Sequence, residues 1–146
     1  MLASSVVLLV EDNPGDVELT RQGILRASNH SVDLHVVNDG AAAVEFLEGP
    51  DGNGPPMWPE LVLLDLNIPK LSGLEVLGHM KASPTLRSIP VIVLSTSASP
   101  ADINQAYDLQ ANAYVTKPVD FNSFVTVING ITSFWLELAK RPSAAF

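Results

Sequence analysis

Residues 61–73 read LVLLDLNIPKLSG, an apolar run that ends at Asp65 and leads into a segment containing a proline and a glycine. The four apolar residues are typical of a parallel strand buried on both faces. Pro69 and Gly73 then indicate a turn, because proline and glycine interrupt regular structure. The sequence therefore predicts a carboxylate at the end of a central strand, where open α/β sheets bind their ligands.

Three other polar sites follow apolar or β-branched runs in the same way. Glu11 and Asp12 follow the run VVLLV. Ser95 follows VIVL, and Lys117 follows YVT. Because the carboxyl ends of parallel strands meet at one edge of the sheet, we expect an acid pair, an acid, a hydroxyl and an amine to form one site there.

The rest of the chain alternates predicted strands and helices, which is typical of an α/β fold with a parallel sheet covered on both faces. The predicted strands are Ser5–Val10, Val32–Val37, Glu60–Leu64, Val91–Leu94 and Ala113–Thr116. The predicted helices run over 14 to about 27, 40 to 48, about 72–82, 100 to about 110 and from the Asp120 cap to about 139. The expected apolar positions of the second are Ala41, Val44, Phe46 and Leu47, and those facing inward on the third are Leu74, Leu77 and Met80. Asn13, Ser99 and Asp120 are the expected N-caps, and residues 49–59 form a loop rich in proline and glycine.

Composition excludes several classes of function. A net charge of −8 disfavours binding to nucleic acid or to an anionic membrane surface. The absence of cysteine excludes disulfides, thiol catalysis and cysteine-ligated metals. The start of the chain lacks a basic segment, and no apolar run approaches the roughly 20 residues of a membrane span, so we expect neither a signal peptide nor an anchor. We expect a cytoplasmic protein of one domain.

The polar residues at the predicted edge suit phosphoryl chemistry with a metal ion. Clustered carboxylates without sulfur ligands favour a hard cation, Mg²⁺ or Mn²⁺. Asp65 could share that cation and still act as an oxygen nucleophile. Lys117 could neutralise phosphoryl oxygens and Ser95 could donate a hydrogen bond to them.

Each of these residues also has an ordinary explanation when it is taken alone. Asp12 could be a helix cap, and Asp65 could be a turn residue. Ser95 could be a satisfied hydroxyl, Lys117 a solvated loop residue and Tyr114 an aromatic ring at the edge of the core. Their common placement at one edge of one sheet is what favours a site.

Together these residues resemble the response-regulator receiver domains of two-component signalling. The matching pieces are Glu11-Asp12, Asp65-x-x-x-Pro69-x-x-x-Gly73, Ser95 and Tyr114-x-x-Lys117-Pro118. They span about residues 5–139 in order. The resemblance implies a flavodoxin-like, doubly wound five-stranded parallel sheet in the order 2-1-3-4-5 with five helices. It also implies that residues 1–146 form a single receiver domain without a separate output domain.

The resemblance assigns a role to each residue of the site. Asp65 would accept a phosphoryl group from a phosphohistidine of a partner histidine kinase. Asp12, Asp65 and the backbone carbonyl of Asn67 would hold Mg²⁺, with Glu11 acting directly or through a metal-bound water. Lys117 would bind the phosphoryl group.

Two further residues would transmit the effect of phosphorylation to the rest of the molecule. Ser95 would move toward the phosphoryl group, and Tyr114 would follow inward as a packing switch. Thr96, which follows Ser95, is larger than the Ala or Gly often seen there and would hinder access or slow phosphoryl turnover.

The resemblance narrows to the single-domain regulators paired with bacterial phytochrome histidine kinases. The long loop at 49–59 and the segments LDLNIPK, LSTS and SFWL carry it. It implies a role in light signalling with a phytochrome kinase as partner.

The last predicted helix is unusually apolar. No charged side chain occurs from Phe121 to Leu136. Two apolar stripes run along it: Phe124, Ile128, Ile131 and Trp135; and Val127, Ile131, Phe134 and Leu138. A helix docked on a sheet needs a single stripe, so we expect the second to form a two-fold homodimer, helped by residues 100–110 or 113–116. The alternative is a scatter of surface hydrophobic residues.

Three other functions compete with a phospho-accepting switch. A phosphatase resembling the haloacid dehalogenase group would need an acid two residues after Asp65, where this chain has Asn67. A flavin-binding module would need a phosphate-binding loop after the first strand, where Glu11-Asp12 would repel phosphate. A constitutive, non-phosphorylated binding module stays open. We therefore expect no enzyme, apart from self-phosphorylation and slow autodephosphorylation.

Overall fold

Five parallel strands form one sheet in a computed structural model that describes residues 5–27 and 31–142. The strands are β1 (Ser5–Val10), β2 (Val32–Val37), β3 (Leu61–Leu64), β4 (Val91–Ser95) and β5 (Ala113–Thr116). Their order is β2-β1-β3-β4-β5. The predicted fold class is therefore confirmed. Residues 1–4, where no signal peptide is predicted, lie outside the described residues.

Helices connect the strands and extend beyond the last one. The α-helices are α1 (Pro14–Ala27), α2 (Gly40–Glu48), α3 (Gly73–Ala82), α4 (Pro100–Asp108) and α5 (Phe121–Thr132). A π-helical segment, Ser133–Leu138, continues directly from α5. The prediction of one regular helix to about residue 139 is therefore corrected. The last turn is wide, and the Ala139 N–H donates to the Phe134 carbonyl at 2.7 Å.

Local residue chemistry accounts for most of the helix ends. The Asn13 side chain accepts a hydrogen bond from the Asp16 N–H at 3.0 Å, and Asp120 caps α5 through its carboxylate. Ser99 occupies the predicted N-cap position of α4, although its side chain makes no cap hydrogen bond. α4 ends earlier than predicted because Gln110 has a φ of 74°, a left-handed conformation incompatible with a helix.

The core lies on both faces of the sheet. α2, α3 and α4 cover one face, where Leu8, Val62 and Leu64 pack against residues such as Leu77 and Met80. The other face packs against α1, α5 and the π-helical segment; its buried residues include Val7, Leu9, Leu61, Leu63, Ile24, Phe124, Ile128 and Leu136. Burial of β1, β3 and β4 on two sides explains their continuous apolar runs.

Two details of the packing differ from the prediction. Ala41 is a predicted apolar position of α2 but is exposed, and Ala43 is buried instead. In α3 the predicted inward positions Leu74, Leu77 and Met80 all lie in or against the core, and Val76, which is not among them, is fully buried as well. Which further position of a short helix is buried depends on how the helix packs against the sheet, and spacing alone does not determine this.

No helix within residues 5–27 and 31–142 is long and apolar enough to cross a bilayer.

Candidate functional site

The carboxyl edge of the sheet brings the acidic strand ends together. Val10 is in register with Leu64 across the β1–β3 pair, and the Asp65 N–H donates to the Val10 carbonyl at 3.0 Å. Glu11 and Asp65 therefore follow neighbouring strands at equivalent heights. Carboxylate oxygens of Glu11, Asp12 and Asp65 lie within 4.8 Å of one another.

This carboxylate cluster could hold a metal ion. Glu11 and Asp65 are buried and Asp12 is exposed, so the cluster opens to solvent on one side. Oxygen ligands suit Mg²⁺, which is usually bound through one or two carboxylates and completed by water or phosphate. Asn67 lies beside the cluster, and its N–H donates to Asp65 Oδ1 at 3.2 Å.

Lys117 lies inside the site and is only 7% exposed. Its Nζ donates to Glu11 Oε1 at 2.6 Å, to Asp16 Oδ2 at 2.8 Å and to Asp65 Oδ2 at 3.1 Å. The loop that carries it is tied to β4, since the Lys117 N–H donates to the Ser95 carbonyl at 2.7 Å. The structure thus unites residues from the ends of β1, β3 and β5.

Asp16 belongs to the site although no sequence pattern singles it out. It lies in the first turn of α1, where an acid is ordinarily explained by the helix dipole. Its position four residues after Asp12, at the same edge, is the one available signal. That signal is weak because partnership with Lys117 depends on a contact across 101 positions of sequence.

Burial and pairing raise the pKa values of both Glu11 and Lys117. Burial raises the pKa of Glu11 to about 7, and the charge of Asp65 adds to the rise while Lys117 opposes it. Burial alone would lower the pKa of Lys117, but hydrogen bonds to Asp16 and Glu11 and the charges of Glu11 and Asp65 hold it well above its usual range. The ammonium is therefore charged throughout the physiological range.

A hydrogen-bond chain leads from the site to α4 and β5. Ser95 is fully buried, and its Oγ accepts from the Ser97 N–H at 3.2 Å. The Ser97 hydroxyl donates to Asp102 of α4 at 2.6 Å. The Tyr114 hydroxyl donates to the Ser97 carbonyl at 2.8 Å. Ser97, which is not among the predicted residues, therefore joins the two predicted switch residues; Thr96 between Ser95 and Ser97 is exposed.

Gly73 allows α3 to begin against the strand end that carries Asp65. A Cβ at this position would lie 2.3 Å from the Asp65 carbonyl oxygen and 2.6 Å from the Leu66 Cα. The Gly73 N–H donates to the Leu66 carbonyl at 3.0 Å. A capping box between Ser72 and Glu75 then starts the helix. At the end of the predicted turn after Asp65, the backbone at Gly73 thus packs closely against the backbone of Asp65 and Leu66.

This arrangement of sheet, acids, lysine and buried serine defines a class of signalling protein. Residues 7–129 match the response regulator receiver domain, and the chain belongs to that family. The match covers most of the chain and confirms the predicted family.

Individual relatives show which members of this family the chain resembles. The chain is 42% identical over 141 residues to "Response regulator Rcp1" of Synechocystis, covering 95% of this chain and 94% of that protein. The structure of the phosphorylated cyanobacterial phytochrome response regulator RcpA superimposes with a TM-score of 0.90 at 40% identity, covering 97% of this chain and all of that one. The Mn²⁺-bound form of Rcp1 gives a TM-score of 0.86 at 41% identity, covering 95% and 99% of the two chains.

These relatives confirm the narrower resemblance that the sequence indicated. The chain is similar to the phytochrome response regulator RcpA over nearly its whole length. It is a signalling regulator rather than an enzyme of the haloacid dehalogenase type.

Proposed function

We propose that this chain is a phospho-accepting response regulator whose acceptor is Asp65. The observation that carries the proposal is the ammonium of a buried lysine 3.1 Å from the Asp65 carboxylate, inside a cluster of oxygen ligands. One Asp65 oxygen attacks the phosphorus of a kinase phosphohistidine, an acyl phosphate forms, and the P–N bond breaks as the imidazole nitrogen leaves. Lys117 then pairs with a phosphoryl oxygen and offsets its charge.

Mg²⁺, or Mn²⁺, is the proposed cofactor. Glu11, Asp12 and Asp65, with the backbone carbonyl of Asn67, would hold it. All these donors are hard oxygens, which fits such a cation. The bound cation would neutralise phosphoryl oxygens during transfer. The Mn²⁺-bound form of Rcp1, a relative that is 41% identical, supports a divalent cation here.

The proposed output is a change in protein contacts rather than a reaction. In this structure Ser95 and Tyr114 both bond to Ser97. When Ser95 Oγ turns to a phosphoryl oxygen, its bond to Ser97 is lost and Tyr114 repacks inward. Such a shift of a two-state equilibrium would alter the surface of α4 and β5.

The proposed partner is a histidine kinase of the phytochrome type, which makes light the stimulus. The phosphorylated cyanobacterial phytochrome response regulator RcpA supports this, because its similarity to this chain extends over nearly the whole of both chains. A cytoplasmic location follows from that pairing and stays a prediction. The net charge of −8 gives no support to a nucleic-acid partner.

A homodimer through the end of the chain is the second part of the proposal. The two predicted stripes separate: Phe124 and Ile128 are buried on the sheet, while Phe134 and Leu138 are 51% and 73% exposed. Two large apolar side chains exposed within one short segment favour an interface. A two-fold pairing of this face is the commonest way to cover it.

Light scattering with and without a phosphoryl mimic tests the dimer. Leu138→Ser should lower the apparent mass toward that of a monomer. Leu25→Ser is a matched control, because Leu25 on α1 is also 73% exposed. A wild-type monomer at every concentration in both states would refute the dimer.

Intact-mass measurement with Mg²⁺ and a small phosphodonor tests phosphorylation. The wild type should gain about 80 Da, and Asp65→Asn should not. Asp108→Asn, which changes an exposed acid at the end of α4, should behave as the wild type. An unmodified wild type would instead favour a constitutive binding module.

A further inference from the structure

The ammonium of Lys117 has three donors and three carboxylate acceptors. Two of the acceptors, Glu11 and Asp65, belong to the carboxylate cluster proposed to bind Mg²⁺. The third, Asp16, is 2.8 Å away and lies outside that cluster as far as the described residues go. One lysine is thus shared between metal ligands and a carboxylate that does not serve the metal.

A divalent cation and the ammonium compete for the same two side chains. Once a cation draws on the oxygens of Glu11 and Asp65, these have less negative charge to offer Lys117, and the two positive charges repel each other. Without a third acceptor the buried ammonium would lose its compensation as the metal binds, and buried charges are costly when unpaired. Asp16 is that third acceptor, so the ammonium keeps a carboxylate partner when the metal binds.

Hydrogen bonds from the N–H and to the carbonyl of Asp16 fix its position in the first turn of α1. Its N–H donates to the Asn13 side chain at 3.0 Å. Its carbonyl accepts from the hydroxyl of Thr20, a buried residue one turn further along α1, at 2.8 Å. Its own side chain is 24% exposed and reaches Lys117 from the rim of the site. The first turn of α1 therefore presents a preorganised carboxylate to the ammonium.

We infer that Asp16 is a positioning residue that retains Lys117 when Mg²⁺ occupies Glu11 and Asp65, so that metal and ammonium are present together before phosphoryl transfer. The inference rests on the proposed function in that the carboxylate cluster is taken to bind Mg²⁺. It adds a residue that touches neither the metal nor the phosphoryl group.

Isothermal titration of Mg²⁺ into four proteins tests the inference: wild type, Asp16→Asn, Lys117→Met and the double variant. Asp16→Asn should raise the Kd for Mg²⁺ about five- to tenfold, in the range of couplings between contacting charged groups. In the Lys117→Met background the same change should move the Kd less than about twofold, because no ammonium is left to compete. Equal effects in both backgrounds would mean a simple charge effect and would overturn the inference.

Two controls separate positioning from loss of charge. Glu18→Gln removes one negative charge from the same helix, where Glu18 has an exposed partner, Arg21, at 3.8 Å; it should leave the Kd unchanged. Asp16→Glu keeps the carboxylate and should restore most of the affinity lost in Asp16→Asn. A Glu variant as weak as the Asn variant would contradict the role of the carboxylate.

A second measurement serves if Lys117→Met does not fold. The rate of phosphorylation by a small phosphodonor is followed against Mg²⁺ concentration. Asp16→Asn should raise the half-saturating concentration by the factor seen in the titration. A lower maximal rate with an unchanged half-saturating concentration would overturn the inference.

The outcomes distinguish this inference from the proposed function. A wild type that binds Mg²⁺ but accepts no phosphoryl group refutes the proposed function, and the titration still decides the role of Asp16. A wild type that binds no Mg²⁺ refutes both. A wild type that does both, with Asp16→Asn unaffected, refutes the inference alone.

Discussion

Gly73→Ala provides a sharp test of how the strand end that carries Asp65 is built. A Cβ at Gly73 would stand 2.3 Å from the Asp65 carbonyl oxygen and 2.6 Å from the Leu66 Cα. These neighbours are backbone atoms, which cannot turn aside as the end of a side chain can. Either the start of α3 or the chain after β3 must move.

The expected cost follows from that clash. Overpacking a closely packed site typically costs about 1–3 kcal/mol. Gly78→Ala, in the same helix, provides the opposite case, because its Cβ would meet only the Leu109 Cδ2 at 3.9 Å. Replacing glycine by alanine inside a helix stabilises it by about 0.5–1 kcal/mol. The two variants should therefore change the free energy of unfolding with opposite signs.

Urea denaturation followed by far-ultraviolet circular dichroism measures both variants. Gly73→Ala should lower the denaturation midpoint and Gly78→Ala should raise it. Because the clash is with the backbone of Asp65 itself, Gly73→Ala should also slow phosphorylation by a small donor, and Gly78→Ala should not. Equal midpoints for Gly73→Ala and the wild type would refute the close approach on which this reasoning depends.

Three further changes test the charges and hydrogen bonds of the site. Lys117→Met should lower the free energy of unfolding in chelator by about 3–5 kcal/mol, because it leaves buried carboxylates unpaired. Lys140→Met, at a position outside the cluster, should have little effect. A similar loss of stability in both variants would contradict the buried ion cluster. Since the pKa of Glu11 is raised from 4.5 to about 7 on folding, the folded state holds this proton more tightly, so its contribution to stability is present below about pH 4.5 and is lost as pH rises to about 7. The wild type in chelator should show this fall and Glu11→Gln should show less of it; parallel pH profiles would disprove the shift. Ser97→Ala leaves Asp102 without its hydroxyl partner and should cost about 0.5–1.5 kcal/mol in urea denaturation, whereas an unchanged midpoint would argue against that bond.

Secondary structure and the edge location of the site are predictable because their signals are local. Continuous apolar runs identify β1, β3 and β4, and polar residues that cap helices identify several helix ends. In a parallel sheet the residue after each strand must lie at one edge. Glu11, Asp65 and Lys117 can therefore be grouped from the order of residues along the chain.

Other features depend on how complete helices and strands pack against one another. The change from α to π geometry at Ser133 has no clear signature in an apolar helix, and neither has the exposure of Phe134 and Leu138 within the π-helical segment. The burial of Ala43 in place of Ala41 reflects the rotation of α2 against the sheet. Packing across the whole molecule decides such rotations, and spacing within one helix does not.

By itself the sequence determined the family from its motifs and, through that resemblance, the strand order. It also determined that the acids, the serine and the lysine lie at the carboxyl edge, since parallel strands end together there. Tertiary structure alone decided which side chains meet. Asp16 reaches Lys117 across 101 positions because α1 and the loop after β5 converge on the same edge. Ser97 joins Ser95 to Tyr114 because the loop after β4 lies against β5. Hydrogen bonds act over about 3 Å, so partnership is set by distances in space that no local pattern contains.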